Sequence, residues 1–138
     1  MVGMDSKIIA FLKEQHLLSL AVCDEEGPYG ASCFYAFDPE HIALIFASDP
    51  QTRHMQIIER DPRAAGTIHL CERTVAKIVG VQFRGRVHPA TPEDKRLYLE
   101  RFPYARAMRP TLWRIDLEWI KMTDNRLGFG TKIIWSRR

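Results

Sequence analysis

Short apolar runs separated by turn-forming residues constrain the fold of this chain more than any other feature. Runs of strand length occupy residues 17–23, 29–37 and 42–47, and each is followed by acidic residues with proline or glycine. Such clusters favour turns over continuation of a helix. Further strands are predicted at residues 64–71, 75–87, 113–122 and 132–135.

Two of the later strands carry additional information. The strand at residues 113–122 alternates apolar and polar residues, so one face is expected to carry Trp113, Ile115, Leu117 and Trp119. The long strand at residues 75–87 contains Gly80 and Gly85. Interior glycines are typical of a bulge, a bend or the close approach of a ligand.

Three helices interrupt the strands rather than alternating with them. Asp5 and Ser6 are suited to cap a first helix, and Thr91 with Pro92 and Asp94 predicts a capping box at another. The remaining helix follows the strand at residues 42–47. This order favours a β-rich α+β fold, an antiparallel barrel or sandwich with flanking helices, over a doubly wound parallel sheet.

Composition narrows the classes of function. A chain of 138 residues is expected to form a single domain over residues 1–138. A net charge of +3 gives no reason to expect nucleic acid binding, and no apolar run is long enough to cross a membrane. The N-terminal segment is typical of a helix rather than of a signal peptide.

The cysteines favour a reducing compartment. Three widely spaced cysteines, Cys23, Cys33 and Cys71, are expected to be buried thiols of a cytoplasmic protein rather than a disulfide framework. His69 and Cys71 have the spacing to share a metal ion, but no second pair of ligands matches them. They are expected to be packed core residues, and no metal site is predicted.

The segment at residues 42–58 organises the candidate site. Six apolar residues predict a buried strand, Asp49 and Pro50 are expected to be the N-cap and first residue of a helix, and Thr52, Arg53 and His54 fall in its first turn. Free backbone amides and the positive end of the helix dipole favour an anion such as a phosphate. The alternative is that Arg53 and His54 are only a solvated helix start.

Three segments carry a resemblance to a known family. They are RTVAKIVGVQFRG at residues 73–85, YLERFPYAR at residues 98–106 and TDNRLGFGTKIIW at residues 123–135, together with Ser48 and Thr52-Arg53 at the strand-to-helix turn. With the order of elements, they resemble the pyridoxamine 5′-phosphate oxidase-like, FMN-binding split β-barrel proteins, and more closely their YhbP-like bacterial subgroup. The resemblance covers nearly the full length and implies a split antiparallel β-barrel.

The resemblance also implies where FMN would bind. Thr52, Arg53 and His54 match the positions that hold its phosphate. The isoalloxazine ring and ribityl chain would be lined by Ala31, Ser32, Cys33, Phe34, Phe46, Ala47 and Ser48. Gly80 and Gln82 would reach the cofactor from the partner subunit or form the site floor. The family's usual second cation at the phosphate is missing here, and Lys132 or another arginine would supply it from the facing subunit.

The function implied is that of an FMN-binding oxidoreductase-like homodimer acting on a small molecule, with two equivalent sites at the subunit interface. No acid or base can be assigned, since the flavin carries the redox chemistry. One alternative is a different cofactor in the same groove, a deazaflavin or haem. Another is a binding module or sensor with no turnover.

Overall fold

The computed structural model describes residues 3–137, and its seven strands and three α-helices follow the order expected from the sequence. The helices are α1 (Ser6–Glu14), α2 (Arg53–Arg60) and α3 (Pro92–Arg101). The strands are β1 (Leu17–Asp24), β2 (Gly27–Asp38), β3 (Ala43–Ala47), β4 (Arg63–His69), β5 (Val79–Pro89), β6 (Leu112–Asp124) and β7 (Lys132–Ser136). No helix within these residues is long and apolar enough to span a membrane.

The strands form an antiparallel barrel that is split on one side. In the described part of the chain the sheet order is β3-β2-β1-β4-β5-β6-β7, and β6 also pairs with β3, which closes a ring of six strands. The start of β6, from Leu112 to Asp116, pairs with β3, whereas Trp119 to Thr123 pair with β7. One long strand thus changes neighbour along its length, and the predicted split antiparallel barrel is confirmed.

The change of neighbour on β6 coincides with a bulge. Arg84 of β5 lies opposite Trp119, but the next residue, Gly85, lies opposite Leu117, so Glu118 is extra. Glycine is required at position 85 because a Cβ there would collide with the carbonyl oxygen of Asp116. The bulge turns Trp119 to the outer face, so the prediction that it shares a face with Leu117 is wrong.

Apolar side chains pack on both sides of the sheet. The larger cluster fills the barrel and includes residues of α1 and α2, while a smaller one lies outside, where α3 covers β2, β3 and β6. The predicted capping box at Thr91 and Asp94 starts α3. Asp94 is buried and also accepts a hydrogen bond from Arg114 of β6 at 3.0 Å, which fixes the start of α3 to the sheet.

Several local predictions are wrong. Helix α2 begins at Arg53 with Thr52 as N-cap, because the carboxylate of Asp49 accepts the amide of Gln51 in a preceding turn. Residues Val75–Lys77 form a 3-10 helix, so the strand predicted from residue 75 begins at Val79.

The cysteine predictions need a similar correction. Cys33 is buried, but Cys23 and Cys71 are exposed free thiols. His69 is exposed as well, and Cys71 lies beyond the end of β4, so this pair is not part of the packed core. Both residues lie at or just beyond the end of β4. The apolar residues around them in the sequence gave no sign that the strand ends there.

Candidate functional site

The end of β3 is held in place by Trp113 of β6 and by Thr111, the residue that precedes β6. The amide of Ser48 donates to the carbonyl oxygen of Thr111 at 3.0 Å, and its carbonyl oxygen accepts the indole N–H of Trp113 at 2.8 Å. The chain then turns through residues 49–52, where the hydroxyl of Thr52 donates to the carbonyl oxygen of Asp49 at 2.8 Å. Both ends of the turn are therefore fixed before α2 begins.

Two hydroxyls and an imidazole converge at this turn. The Nε2 atom of His54 lies 2.5 Å from the Ser48 hydroxyl and 3.3 Å from the Thr52 hydroxyl, and the two hydroxyls are 3.5 Å apart. Burial lowers the pKa of His54 below its ordinary value, because the charged imidazolium would lose hydration. At neutral pH His54 is therefore a neutral hydrogen-bonding group, not a fixed positive charge.

Arg53 faces the turn between β1 and β2. Its Nη2 atom donates to the Asp24 carboxylate at 2.6 Å and lies 3.7 Å from the Glu26 carboxylate. The Asp24 side chain is only 8% exposed. The backbone amide of Glu26 and the guanidinium of Arg53 hold the pKa of Asp24 below its usual range. Arg53 is thus not fully solvated, and it already has an anionic partner in Asp24.

The first turn of α2 leaves two donors available. The amide of Met55 donates to the Thr52 hydroxyl, and the amide of Gln56 donates to the Thr52 carbonyl oxygen. The amides of Arg53 and His54 have no acceptor among residues 3–137. Unpaired amides at a helix N-terminus are the usual backbone contribution to anion binding.

The residues predicted to line the flavin ring divide between the two faces of the sheet. Ser32 and Phe34 lie on the outer face and are exposed, and Ala47 and Ala31 are half-buried. Cys33 points into the barrel, where burial raises the pKa of its thiol to about 11. Phe46 is fully buried in the main core. Only backbone atoms of these last two residues are available to a ligand on the outer face.

Gly80, Gln82 and Lys132 form a second group, away from the β3–α2 turn. Gly80 and Lys132 both lie beside Thr123, and Gln82 follows on the same face of β5. Pro89, at the other end of β5, pairs with Trp113 next to Ser48. Gly80 and Pro89 are nine residues apart on β5, which corresponds to roughly 30 Å of strand. Within one protomer, the predicted site residues are therefore not all brought together.

Two residues at the site were not identified from the sequence. Asp24 lies 29 residues before Arg53, and Trp113 lies 65 residues after Ser48. The acidic cluster at residues 24–26 was interpreted only as a hairpin turn. Its charge opposite to that of Arg53 was the one signal present, but nothing in the sequence places the two segments next to each other.

The architecture defines a split-barrel protein whose turn from β3 into α2 brings two hydroxyls and an imidazole together beside Arg53. A family model described as pyridoxamine 5′-phosphate oxidase matches residues 4–124, and the chain belongs to that family. A UPF0306 protein from Serratia proteamaculans is 38% identical over 135 residues, covering 95% of this chain and 94% of the relative. A UPF0306 protein from Yersinia pestis is 40% identical over 131 residues, covering 92% of this chain and 89% of the relative. These relatives are consistent with the YhbP-like subgroup.

Solved structures with the same fold include proteins that bind different cofactors. A haem-binding protein from Mycobacterium smegmatis superposes with a TM-score of 0.76 at 17% identity, over 99% of this chain and 60% of its own. An FAD-binding protein from Mesorhizobium loti superposes with a TM-score of 0.72 at 14% identity, over 86% of this chain and 92% of its own. At these identities the superpositions show the split-barrel fold alone.

Proposed function

We propose that residues 1–138 form one FMN-binding domain that acts, as a homodimer, in flavin-dependent oxidation or reduction of a small molecule. The observation that carries this proposal is the turn from β3 into α2. There, the free amides of Arg53 and His54 lie beside two hydroxyls and a guanidinium. This combination of donors fits a phosphate monoester, because each phosphate oxygen can accept several hydrogen bonds.

Bound FMN would supply the redox chemistry, and the protein would bind and orient it. Arg53 would contact the phosphate with the part of its guanidinium that Asp24 does not occupy. Ser48 and Thr52, held by His54, would present hydroxyls to the phosphate or the ribityl chain. On the neighbouring strand Ser32 and Gly30 are exposed and small, which allows a planar ring to approach the backbone.

A patch of small, uncharged side chains at the centre of the outer face supports the homodimer, with Arg63 and His69 at the two ends of β4 beside it. On β1 and its neighbours this face carries exposed Ser19, Ala21, Gly30, Ser32 and Thr67. Beside them, Leu17 is 48% and Phe34 is 50% exposed. Central strands that present small side chains and no charge to water are suited to packing against a second layer. A second copy of the chain would supply that layer by two-fold symmetry.

The homodimer would also complete the cofactor site. The group formed by Gly80, Gln82 and Lys132 lies on the outer face of β5, β6 and β7, far along the barrel from Arg53. A two-fold axis through the outer face would bring this group of one protomer against the β3–α2 turn of the other. Lys132, which is exposed, would then add the positive charge that His54 does not provide.

The exposed thiols fit a reducing compartment. Cys23 and Cys71 are accessible to solvent and would be open to oxidation outside the cell. This agrees with the proposed cytoplasmic location.

Titration of the purified, flavin-free protein with FMN tests the proposal. We expect saturable quenching of flavin fluorescence with one FMN per protomer, and a dimer mass by light scattering. Anaerobic addition of NADPH should then bleach the flavin absorbance. Stoichiometric binding without bleaching by any pyridine nucleotide would support the second candidate, a flavin-carrying module without turnover. Failure to bind FMN would contradict both.

A further inference from the structure

An apolar cavity lies on the outer side of the barrel. It is enclosed by the ends of β2 and β3, by α3 and by the 3-10 segment Pro103–Met108, and its volume is about 270 Å³. Its walls include Phe34, Ala47, Tyr98, Phe102, Tyr104 and Met108. Phe34 and Ala47 are also predicted to line the flavin ring, so the cavity adjoins the proposed cofactor site.

Aromatic rings form most of the cavity wall. The rings of Tyr98 and Phe102 have centroids 4.9 Å apart, and those of Phe34 and Phe102 are 6.0 Å apart with planes inclined by 58°. On its far side Phe34 stacks on His16 at 5.8 Å, which limits its movement. Rings held at such angles offer both faces and edges, which is the arrangement that a flat aromatic ligand prefers.

Tyr98 provides the cavity with one polar group. The residue is 4% exposed, and its hydroxyl has no hydrogen-bond partner among residues 3–137. The hydroxyl of the other buried tyrosine, Tyr35, donates to the carbonyl oxygen of Leu12 at 2.7 Å. Within residues 3–137 the one buried unpaired side-chain atom is the indole nitrogen of Trp135, so the Tyr98 hydroxyl is not sealed from solvent. It is therefore available to donate to a ligand that enters the cavity. Burial and the nearby Tyr104 raise the pKa of Tyr98, so it is a neutral donor at physiological pH.

We propose that this cavity binds the ring of the substrate, a flat aromatic molecule that carries one oxygen able to accept a hydrogen bond from Tyr98. The cavity volume suits a two-ring compound, and its apolar walls disfavour sugars and flexible polar chains. Its role as a substrate site rests on the proposed FMN function. Its preference for a flat ring with one oxygen does not.

Three probes of matched size test the preference. They are 2-naphthol, 2-methylnaphthalene, which lacks the oxygen, and decahydro-2-naphthol, which is not flat. Binding is followed by protein NMR shift perturbation, in the flavin-free and in the FMN-loaded protein. We expect 2-naphthol to bind most tightly and to perturb Phe34, Tyr98 and Tyr104. Equal affinity for decahydro-2-naphthol, or perturbations centred elsewhere, would overturn the proposal.

Variants separate the hydrogen bond from the shape of the cavity. Tyr98→Phe should weaken the binding of 2-naphthol about three- to tenfold, which is the usual contribution of a neutral hydrogen bond. The affinity for 2-methylnaphthalene should not change. Tyr29→Phe, on a tyrosine outside the cavity, is the matched control and should change neither. Met108→Trp, at a position that is 78% exposed and so tolerant of substitution, should narrow the cavity and weaken both ligands. Equal binding of 2-naphthol by Tyr98→Phe and wild type would refute the role of the hydroxyl.

The FMN-loaded protein distinguishes this proposal from the function on which it rests. Binding of 2-naphthol without release of FMN is the expected result. Competitive release of FMN would overturn the proposal, because the cavity would then be the flavin's own ring pocket. If FMN does not bind at all but 2-naphthol binds with the expected preferences, the proposed function fails while the ligand class of the cavity stands.

Discussion

Replacing Arg53 with alanine is expected to weaken FMN binding, and replacing Asp24 with asparagine is expected to strengthen it. The Arg53 guanidinium is shared, because one of its nitrogens lies 2.6 Å from the Asp24 carboxylate. Losing a charge-assisted hydrogen bond to phosphate should weaken FMN about ten- to a hundredfold. Asp24→Asn removes a competing anion and should tighten FMN several-fold, with a smaller gain at high salt.

Riboflavin is the control ligand, since it has the same ring without the phosphate. Its affinity, measured by the same fluorescence quenching, should be nearly unchanged in Arg53→Ala and Asp24→Asn. Arg53→Lys keeps the charge but loses the planar guanidinium group, so its FMN affinity should lie between those of wild type and Arg53→Ala. Equal losses of FMN and riboflavin in Arg53→Ala would refute the reasoning, because Arg53 would then support the fold or the ring rather than the phosphate. Tighter FMN binding by wild type than by Asp24→Asn would refute the idea that Asp24 competes with the phosphate for Arg53.

Three other predictions follow from the same contacts. A thiol reagent should label Cys71 quickly and Cys33 only on unfolding, because Cys71 is exposed and burial raises the pKa of Cys33 to about 11; rapid labelling of Cys33 in the folded protein would contradict its buried position. Urea unfolding should show stability falling as the pH drops below 6.5, the ordinary pKa of histidine, because the folded state lowers the pKa of His54 and the unfolded chain binds the proton more readily. His54→Gln should reduce this loss of stability at low pH. An identical pH dependence of stability in wild type and His54→Gln would contradict the role of His54. Arg137→Ala should cost about 1–3 kcal/mol in unfolding free energy, because its guanidinium donates to the carbonyl oxygens of Leu117, His41 and Ile42 at 2.8–3.0 Å; an unchanged urea midpoint would contradict this.

Local patterns predicted those features of the fold that depend on neighbouring residues. The capping box at Thr91 and Asp94 is contained in four consecutive residues, and it forms as expected. The start of α2 was placed wrongly because Asp49-Pro50 and Thr52 are both good cap sequences. In the structure the carboxylate of Asp49 accepts the amide of Gln51 in the turn before the helix, and Thr52 caps α2.

The bulge on β6 left one signal in the sequence, because the alternation of apolar and polar residues breaks at the apolar pair Trp119 and Ile120. The sequence does not say which residue is extra, because that residue is defined only relative to Gly85 on the paired strand. The candidate site has the same limit. Thr52, Arg53 and His54 were recognisable as anion-binding types, but the carboxylate that shares Arg53 comes from a turn 29 residues away.

A subunit-mixing experiment tests the two-protomer FMN site most directly. Arg53→Ala removes a phosphate ligand, and Gly80→Trp fills the second group of site residues at a position where an added Cβ meets its nearest neighbour at 3.4 Å. Each variant alone should bind FMN poorly. Random exchange of equal amounts should give mixed dimers in half of the population, each with one site free of both substitutions, so that roughly a quarter of the wild-type sites return. Recovery of high-affinity FMN binding at about that stoichiometry is the result predicted by a site shared between protomers. No recovery, with subunit exchange verified by mass spectrometry, would contradict it.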